Sequence, residues 1–523
     1  MKINSIKNNI NDKNTTPAFK GMEMSPLSYG LYTLSNNDML KAAGIDFFFT
    51  DNQRTLLELK NRGKNAGIEM GFREYTGTFI VEFSAALFAF LISKFMGKNY
   101  KPDVKINSSS WATNNALDVF NDIYKKSDKT PEGFVKNALN SMSGLAGYET
   151  KFFKNLDEEK TKPIADELTK IITGGQNKKE TKQALKNVQD KIIGVLGADN
   201  GINIESGAYK FSSNLGHTLR DMTDLGKNVF FTNTKNAPDE IISKLKTINK
   251  TRTSLAIPLS MALAISNQYI NRRLTKKRTG IDNFVGENGY EKNVKEKNES
   301  KGDKWLPFKK FLSAGIFVGM LGAVMGVKRP KDLVSKLEFT GPATTGSAIK
   351  TIYGTLILGR IFAAKDSTEL RETNTRDYLG FLNWLVLGDF VSKGIAQVMD
   401  KGHKELFNVA KEGKGIKHWL KDLSLKSQKE IITSGKNVKN NLRKLNTAQL
   451  GGIAYSAVML GFLLPKFNIW MTKRNKKDDN SNGQNTVQNG QTKANGKTSF
   501  QALKFEEFLK SAKMNSKTLR AIN

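Results

Sequence analysis

The apolar residues of this chain fall into six windows separated by long polar stretches. Three windows contain no charged residue and run over 253–271, 311–327 and 445–465, with lengths of 19, 17 and 21 residues. A helix that crosses the hydrocarbon core of a bilayer needs roughly 17–25 predominantly apolar residues. These three windows therefore predict transmembrane helices.

The other three windows are nearly as apolar but contain charge. They are 79–93 with Glu82, 351–364 with Arg360, and 378–397 with Asp389 and Lys393. A charge at the bilayer centre costs about 2.5–3.5 kcal/mol on insertion scales. Spanning, tilted, re-entrant and docked helices all remain open for these windows, and the four charges should face the bundle interior or an interface.

Asp389 and Lys393 are four residues apart and should pair on one helical face. A functional interpretation of the four charges is an ion or solute path. The structural interpretation is snorkelling plus one ion pair, because Arg360 and Lys393 lie near window ends. We favour the structural interpretation.

Small residues recur at helix-packing spacing within 311–327. Gly315 and Gly319 form one GxxxG motif, and Gly322 and Gly326 form a second. In lipid, close backbone approach at small residues drives helix association, whereas in water each helical glycine costs about 1 kcal/mol relative to alanine. The motifs favour a membrane bundle over the alternative, core helices of a soluble protein, and predict packing at these glycines.

The distribution of Lys and Arg gives conflicting signals on orientation. The loops 271–310 and 399–447 hold 12 basic residues each, and the tail after 465 is also basic. Basic loops favour the cytoplasmic side, and no arrangement of the windows satisfies all three segments. Six crossings with both termini cytoplasmic satisfy the first loop and the tail, and we expect that arrangement. No cleavable signal peptide is expected at the N-terminus.

The polar segments predict one extramembrane domain and disordered ends. Residues 99–250 show helix signals at 114–126, 131–145, 162–173, 180–196 and 238–250, with little strand alternation. This segment is therefore predicted to be all-α. Short capped helices are expected within 36–74, and 416–445 fits either a helix on an anionic lipid surface or an ordinary solvated helix.

The predicted organisation has six segments. These are 1–25, disordered; 26–98, short helices and the first membrane-associated helix; 99–250, the helical extramembrane domain; 251–470, the membrane bundle; 471–499, a low-complexity linker; and 500–523, a short amphipathic helix.

Composition removes several classes of function. The 523 residues include no Cys and three His, which excludes disulfides, thiolate nucleophiles and Cys-ligated metals. The best P-loop match, 490–498, is one residue too long and lies in the low-complexity tail. The formal charge is 82 − 50 = +32, but the excess is Lys spread along loops, so anionic lipid headgroups are expected as partners rather than nucleic acid. We predict no catalytic, cofactor-binding or metal site.

Three short sequence segments resemble segments of known proteins. TPAFKG at 16–21, NAGIEMGFREYTGT at 65–78 and INRRLTKKRTGIDNFVG at 270–286 resemble segments of uncharacterised multi-span membrane proteins from non-photosynthetic gut relatives of cyanobacteria. The resemblance implies a bacterial membrane protein and no particular activity. In the second string, Glu69, Arg73 and Glu74 are spaced to share a helix face. They predict an ion cluster at the membrane interface.

The sequence thus predicts a mostly α, polytopic membrane protein with five or six membrane-associated helices. Its expected location is the bacterial inner membrane. A structural or scaffold protein of the envelope, with a possible membrane-protein partner, is the expected function, and a small-solute transporter or channel is the alternative. An internal cavity lined by Glu82, Arg360 or Asp389 would favour transport. A solid bundle packed on its glycines would favour a scaffold.

Overall fold

The computed structural model describes residues 24–99, 112–144, 158–174, 177–231, 238–280, 303–327, 329, 332–333, 336–340, 343–403, 405–409, 415–435, 437–471 and 474. The chain divides into two units, Met1–Ile469 and Trp470–Asn523. Only three residues of the second unit are described. The predicted disordered N-terminus, linker and terminal helix therefore lie almost wholly outside the described residues.

The first half of the chain is mostly helical and contains three short strands. Its elements are α1 Pro26–Ser35, α2 Asp38–Ile45, π1 Asp46–Asp51, α3 Asn52–Arg62, α4 Lys64–Thr78, π2 Phe79–Ser84, α5 Ala85–Asn99, α6 Asn114–Lys126, α7 Pro131–Asn140, β1 Met142–Ser143, α8 Glu158–Thr173, α9 Lys178–Leu196, β2 Ile202–Ser206, β3 Tyr209–Ser213, α10 Leu215–Gly226 and π3 Lys227–Phe231. The π elements are single widened turns inserted into α-helices.

The second half is also mostly helical. Its elements are α11 Pro238–Thr279, α12 Leu306–Met325, β4 Phe339–Thr340, β5 Ala343–Thr344, α13 Gly346–Ala363, α14 Ser367–Leu382, π4 Asn383–Leu387, α15 Gly388–Met399, β6 Phe407–Val409, α16 Ile416–Lys421, β7 Leu423–Leu425, α17 Gln428–Ser434, α18 Val438–Val458 and π5 Met459–Leu463. The predicted mostly α fold is confirmed.

Residues 112–250, called the block below, pack like a water-soluble domain. Apolar side chains from its helices form one buried core that includes Phe120, Phe134 and Ile192. Among the described residues of the block, Tyr209 is the one large hydrophobic side chain that is exposed. This apolar-inside pattern is that of a domain surrounded by water.

The prediction that the block is all-α is wrong, because it contains a three-stranded antiparallel sheet in the order β1-β2-β3. Ile202 and Ile204 of β2 point into the core while the residues between them do not. Gly207, with φ +58°, turns the chain between β2 and β3. The strand signal was weak because two isoleucines alternating with polar residues form a short pattern.

The helices outside the block form a bundle with the opposite pattern. Large apolar side chains such as Phe90, Leu259, Phe311 and Ile316 are exposed on its outside. Many charged side chains are buried inside it. A bundle that exposes apolar groups and buries charge is suited to a lipid surrounding, because lipid tails are as apolar as leucine.

Three helices are long and apolar enough to cross a membrane: Lys64–Met96, Leu306–Met325 and Val438–Met471. Only 22% of the most apolar window of Leu306–Met325 is buried, which argues against the alternative of core helices in a soluble protein. The windows 79–93 and 445–465 lie in these helices, and 311–327 overlaps the helix Leu306–Met325 up to its end. The remaining three windows do not meet the same criteria of length and hydropathy.

Those three windows also lie in helices of the bundle. Residues 253–271 belong to α11, a 42-residue helix that is about 63 Å long at 1.5 Å per residue. Residues 351–364 lie in α13, which is buried on nearly all sides. Residues 378–397 are divided by π4 between α14 and α15. Three candidate spans therefore stand on length and composition, and the predicted number of five or six is not confirmed.

The bundle has two distinguishable ends. One end adjoins the block, since α11 begins in the block core at Ile241 and α17 packs on α9. At the opposite end, called the far end, contacts join Arg62 with Glu372, Arg272 with Glu369, Asn65 with Arg278, and Asn468 with Glu372. Helices that connect these ends pack side by side, such as α11 with α13 and α15 with α18.

Two segments differ from their predicted form. Residues 38–62 are one continuous helical run through α2, π1 and α3 rather than separate short helices, and the run joins the block end to the far end. The basic segment 399–447 is not a plain loop: β6, α16, β7 and α17 fold against the block end. It therefore lies at the opposite end of the bundle from the basic residues 272–278.

Candidate functional site

Four of the five π turns in the described residues meet at a small buried chamber of about 30 Å³. Each contributes lining: Asp46 and Asp51 from π1, Val81 from π2, Trp384 from π4 and Leu460 from π5. A π turn widens the helix and frees backbone groups, and such turns are frequent at functional sites. Here the Arg54 side chain uses one freed group, with Nε donating to the Leu460 carbonyl at 3.1 Å.

A buried ionic network adjoins the chamber. Glu74 accepts from Arg54 at 2.9 Å and lies 3.3 Å from Arg73 and 3.7 Å from Arg360. Arg360 also pairs with Asp377 at 3.1 Å. All these side chains are at most 6% exposed.

The same network extends along α14. Arg376 lies 2.8 Å from Asp377, and the Tyr353 ring lines the chamber between α13 and π4. Buried ion pairs return their desolvation cost only when geometry is good and further hydrogen bonds satisfy the partners. A network of so many buried ion pairs adds little net stability. Its presence inside an apolar bundle therefore points to a role in positioning or function.

A second ionic group lies at the far end. Arg62 contacts Glu58 at 3.1 Å and Glu372 at 2.8 Å, and Arg272 pairs with Glu369. These contacts tie α3, α11 and α14 together. They have the character of a structural clamp, because none of these side chains lines the chamber.

Glu82 is fully buried in π2, and neither of its carboxyl oxygens has a hydrogen-bond partner within the part of the chain that the structure describes. It is the one acidic side chain among the described residues for which both oxygens are buried without a partner. The charged groups that act on it most strongly are Asp46, Asp38 and Asp51. An unpaired carboxylate in this position is strongly disfavoured.

A wider cavity of about 300 Å³ lies toward the block end. Its charged lining includes Asp38, Lys41, Asp389, Lys393 and Lys426, with several hydroxyl groups between them. The Asp389 side chain is 71% exposed, so this cavity reaches the surface. A neighbouring cavity of about 80 Å³ shares Asp38 and Asp389 with it.

Trp384 lines all three cavities. Its ring packs edge-to-face on Tyr353 with centroids 4.9 Å apart. Trp384 therefore forms the wall between the surface-accessible cavity and the buried chamber. Because it stands on a π turn, a local change of backbone winding would move this wall.

The predicted pairing of Asp389 with Lys393 is wrong. Asp389 pairs with Lys41 of α2, while Lys393 donates to the Trp419 carbonyl and lies 4.8 Å from that ring's centroid. The interpretation of Arg360 as a snorkelling residue is also wrong, because its side chain is 3% exposed and points into the ionic network. The first error arises because Lys41, distant in sequence, pairs with Asp389 in place of a neighbour one turn away. The second arises because Arg360 has buried acidic partners, Glu74 and Asp377, on other helices.

The prediction of an interfacial ion cluster needs a similar correction. Glu69, Arg73 and Glu74 are all buried, so the cluster lies inside the bundle rather than at a membrane surface. Its main partners, Arg54 and Arg360, come from α3 and α13.

The predicted packing at the GxxxG glycines is wrong within this chain. A Cβ added at Gly315 or Gly319 would meet none of the described residues within 4 Å, and Gly326 is a left-handed helix cap. Gly322 has a single neighbour, a backbone oxygen at 3.9 Å.

Other glycines make the close helix contacts. An added Cβ at Gly359 would lie 2.6 Å from the Ile265 carbonyl oxygen, and one at Gly452 would lie 2.6 Å from the Gly388 oxygen. Gly452 and Gly388 each lie four residues before a serine in their own helix, a small-xxx-small spacing that the sequence displays.

The block is attached to the bundle by a buried polar contact. Glu430 of α17 accepts from the backbone N–H groups of Asp199, Asn200 and Ser427. Asp199 in turn accepts from the Tyr32 hydroxyl at 2.9 Å. Burial raises the pKa of both the Asp199 and the Glu430 carboxyl.

Several network members carried a sequence signal that was not used. Arg54, Glu58 and Arg62 repeat every four residues, and Glu369, Glu372 and Arg376 follow a three-then-four spacing. Such periodicity places charges on one helix face. It does not say whether that face meets water or other helices.

The described residues contain no group of three or more His, Asp or Glu arranged to hold a metal ion. The site is a small chamber lined by carboxyl and guanidinium groups, several of which form ion pairs. No family model matches this chain, and neither a curated protein nor a solved structure matches it.

Proposed function

We propose that the chain is an integral protein of a bacterial cytoplasmic membrane that transports a small solute. The observation that carries this proposal is the pair of cavities divided by Trp384, one reaching the surface and the other buried among charges. Arg360 lines the buried chamber and Asp389 lines the wider cavity. A cavity with these linings is the feature that distinguishes a transporter from a solid scaffold.

The proposed membrane arrangement follows from the two ends of the bundle. The far end has Arg272, Arg273, Lys276, Lys277 and Arg278 at the end of α11. Basic residues close to helix ends favour the cytoplasm, and anionic headgroups are their proposed partners. The basic segment 399–447 then lies on the other side, which accords with three crossings between it and α11.

If the helical run 38–62 is counted as a further membrane crossing, the N-terminal segment before it lies on the other membrane face than was expected. Tyr32 of α1 contacts the block, whereas Asn468 contacts Glu372 at the far end. The two ends of the described chain would then lie on opposite membrane faces. This replaces the expectation that both lie in the cytoplasm.

Single-cysteine labelling tests the arrangement, since the chain has no Cys of its own. Lys277→Cys and Lys401→Cys, both at exposed positions, are treated in intact cells with an impermeant maleimide. Labelling at 401 and protection at 277 is the expected result. Labelling of both, or extraction of the protein from membranes by alkaline carbonate, would contradict the arrangement.

Transport is tested with purified protein in liposomes on a solid-supported membrane. Pools of amino acids, organic acids and sugars, and a separate pH jump, are applied while transient currents are recorded. The expected result is a current for at least one pool or for the pH jump that empty liposomes lack. Trp384→Ala should change the size or decay of that current. The absence of any protein-dependent current would refute transport.

A scaffold function is the second candidate, and one observation favours it. Gly315 and Gly319 have no neighbour within 4 Å of an added Cβ among the residues that the structure describes, and they lie next to exposed Phe311 and Ile316. A helix from another membrane protein fits such a face. Loss of a co-purifying protein on Gly315→Leu, with no protein-dependent currents, would favour this candidate over transport.

A further inference from the structure

Glu82 occupies an exceptional position in the bundle. Its side chain is 0% exposed, and it lies in the most apolar of the candidate spans, Lys64–Met96. Val81 and Ala85, which lie close to it along the chain, belong to a buried apolar cluster together with Ala256 and Ile352. A carboxyl that is kept here without an ion pair or a hydrogen bond contributes nothing evident to stability.

The charged neighbours of Glu82 lie at two different cavities. Asp38, from α2, lines the wide cavity. Asp46 and Asp51, from π1, line the buried chamber. The elements that pack on π2 are α2, α4, α5, α11 and α13, and the groups acting most strongly on Glu82 are these three acids, with no base among them.

Acidic neighbours favour the neutral form of a carboxyl, and a proton is the one cation that needs no ligand set. The described residues also contain no metal-binding group. We infer that Glu82 is a reversible proton-binding site and that Asp38, Glu82 and the pair Asp46 and Asp51 form a proton relay between the two cavities.

The relay exchanges protons with water. A hydronium ion in the wide cavity protonates Asp38 and leaves water, and Asp38 then passes the proton to the Glu82 carboxylate. Glu82 becomes a neutral acid, and it returns to the carboxylate when the proton moves on to Asp46 or Asp51. Asp51, which accepts a hydrogen bond from Thr78 at 2.9 Å, lies at the chamber where the proton arrives.

Proton binding at Glu82 is tested without any transport assay. Dicyclohexylcarbodiimide adds across a protonated carboxyl in an apolar setting and rearranges to a stable N-acylurea, with no group lost. The full-length protein in detergent is treated across a pH series, and the adduct is located by peptide mass spectrometry. We expect an adduct on Glu82 at neutral pH that declines as the pH rises, and none on Glu205, which is exposed.

Glu82→Gln should abolish the adduct and Glu82→Asp should retain it. No adduct at position 82 in the wild type, or an adduct independent of pH, would overturn the inference. Glu82→Leu provides a folding control, because it fills the apolar site without a carboxyl.

Coupling of this proton to solute movement rests on the proposed function. The expected result is loss of the pH-jump current in Glu82→Gln. A pH-jump current unchanged by Glu82→Gln overturns the relay. If the wild type forms the pH-dependent adduct but gives no current with any pool or pH jump, the transport proposal fails and the proton site stands.

Discussion

The Arg360 guanidinium lies 3.1 Å from the Asp377 carboxylate, with Nη1 facing Oδ1, and both side chains are almost completely buried. Arg360 stands on α13 and Asp377 on α14, so the pair joins two adjacent helices at the chamber. Removing one partner leaves a buried charge without compensation.

Arg360→Met is therefore expected to destabilise the protein by about 3–5 kcal/mol. The matched control is Lys41→Met, which breaks the exposed pair with Asp389 and should cost about 0–1 kcal/mol. Thermal unfolding in detergent, followed by intrinsic fluorescence, measures both. Equal unfolding midpoints for the two variants would mean that the buried pair stabilises the protein no more than the exposed pair does.

Two glycines of the bundle lie in contrasting surroundings, one at a close helix contact and one on an open helix face. A Cβ at Gly359 would lie 2.6 Å from the Ile265 oxygen and 2.8 Å from its Cα, which are backbone atoms that cannot move aside easily. Gly359→Ala should thus destabilise the α11–α13 contact by about 1–3 kcal/mol. Gly315→Ala, where nothing lies within 4 Å, should be neutral or raise stability by up to about 1 kcal/mol through helix propensity.

Thermal midpoints of Gly359→Ala and Gly315→Ala in the same detergent decide this prediction. The reverse order, with Gly315→Ala the more damaging, would indicate that the GxxxG face packs against another chain. That outcome would also strengthen the scaffold candidate.

The sequence predicted the locally determined parts of this fold. The helix at 114–126 is found at Asn114–Lys126, with Thr113 accepting from the Ala116 N–H as its cap. Capping and hydrophobic periodicity act within a few residues, so one short segment contains the information.

The candidate site was predicted only in part, because its geometry depends on distant segments. Glu82 and Arg360 were selected as costly charges in apolar windows. Asp377, the partner of Arg360, and Arg54, the partner of Glu74, were not. The choice among many possible partners is made by packing of helices 17 to several hundred residues apart, such as Arg54 with Leu460. Spacing within one helix does not contain that choice.

Two titratable groups one turn apart in α10 oppose each other in their effect on stability. Burial raises the pKa of Asp221 to about 6. Burial, together with Arg220, lowers the pKa of His217 to about 4. The folded block therefore holds an extra proton on Asp221 and lacks one on His217 in the same pH range.

The signs follow from proton linkage. As pH falls from 6 to 4, folded Asp221 binds its proton before the unfolded chain does, so its contribution to the free energy of unfolding rises. Over 6.5 to 4, His217 binds a proton in the unfolded chain first, so its contribution falls. Each pKa unit corresponds to about 1.4 kcal/mol, and the two effects largely cancel in the wild type.

Asp221→Asn should expose the His217 effect, so that stability relative to the wild type declines as pH is lowered from 6.5 to 4.5. His217→Gln should produce the opposite slope. Chemical denaturation of the full chain in detergent across this pH range measures both. Parallel pH profiles for the two variants would show that these groups do not titrate as their burial indicates.

Glu430 is the acceptor that attaches the block to the bundle. One carboxyl oxygen accepts from the Asp199 and Asn200 N–H groups, and the other from the Ser427 N–H and the Asn408 side chain. Glu430→Gln replaces one acceptor oxygen by a donor, which leaves at least one buried N–H without a partner at a cost of about 1–3 kcal/mol.

Glu180 gives a matched control, because it forms the same kind of capping box with Asn177 at the start of α9. It is exposed, and its side-chain hydrogen bond among the described residues is to Asn177. Hydrogen exchange measured by mass spectrometry should show faster exchange in the peptides containing Asp199 and Ser427 for Glu430→Gln. Glu180→Gln should change exchange only near Asn177. If the two variants gave the same local effect, Glu430 would act as a helix cap alone, and the block would be held on the bundle by other contacts such as Lys429 with Asp190.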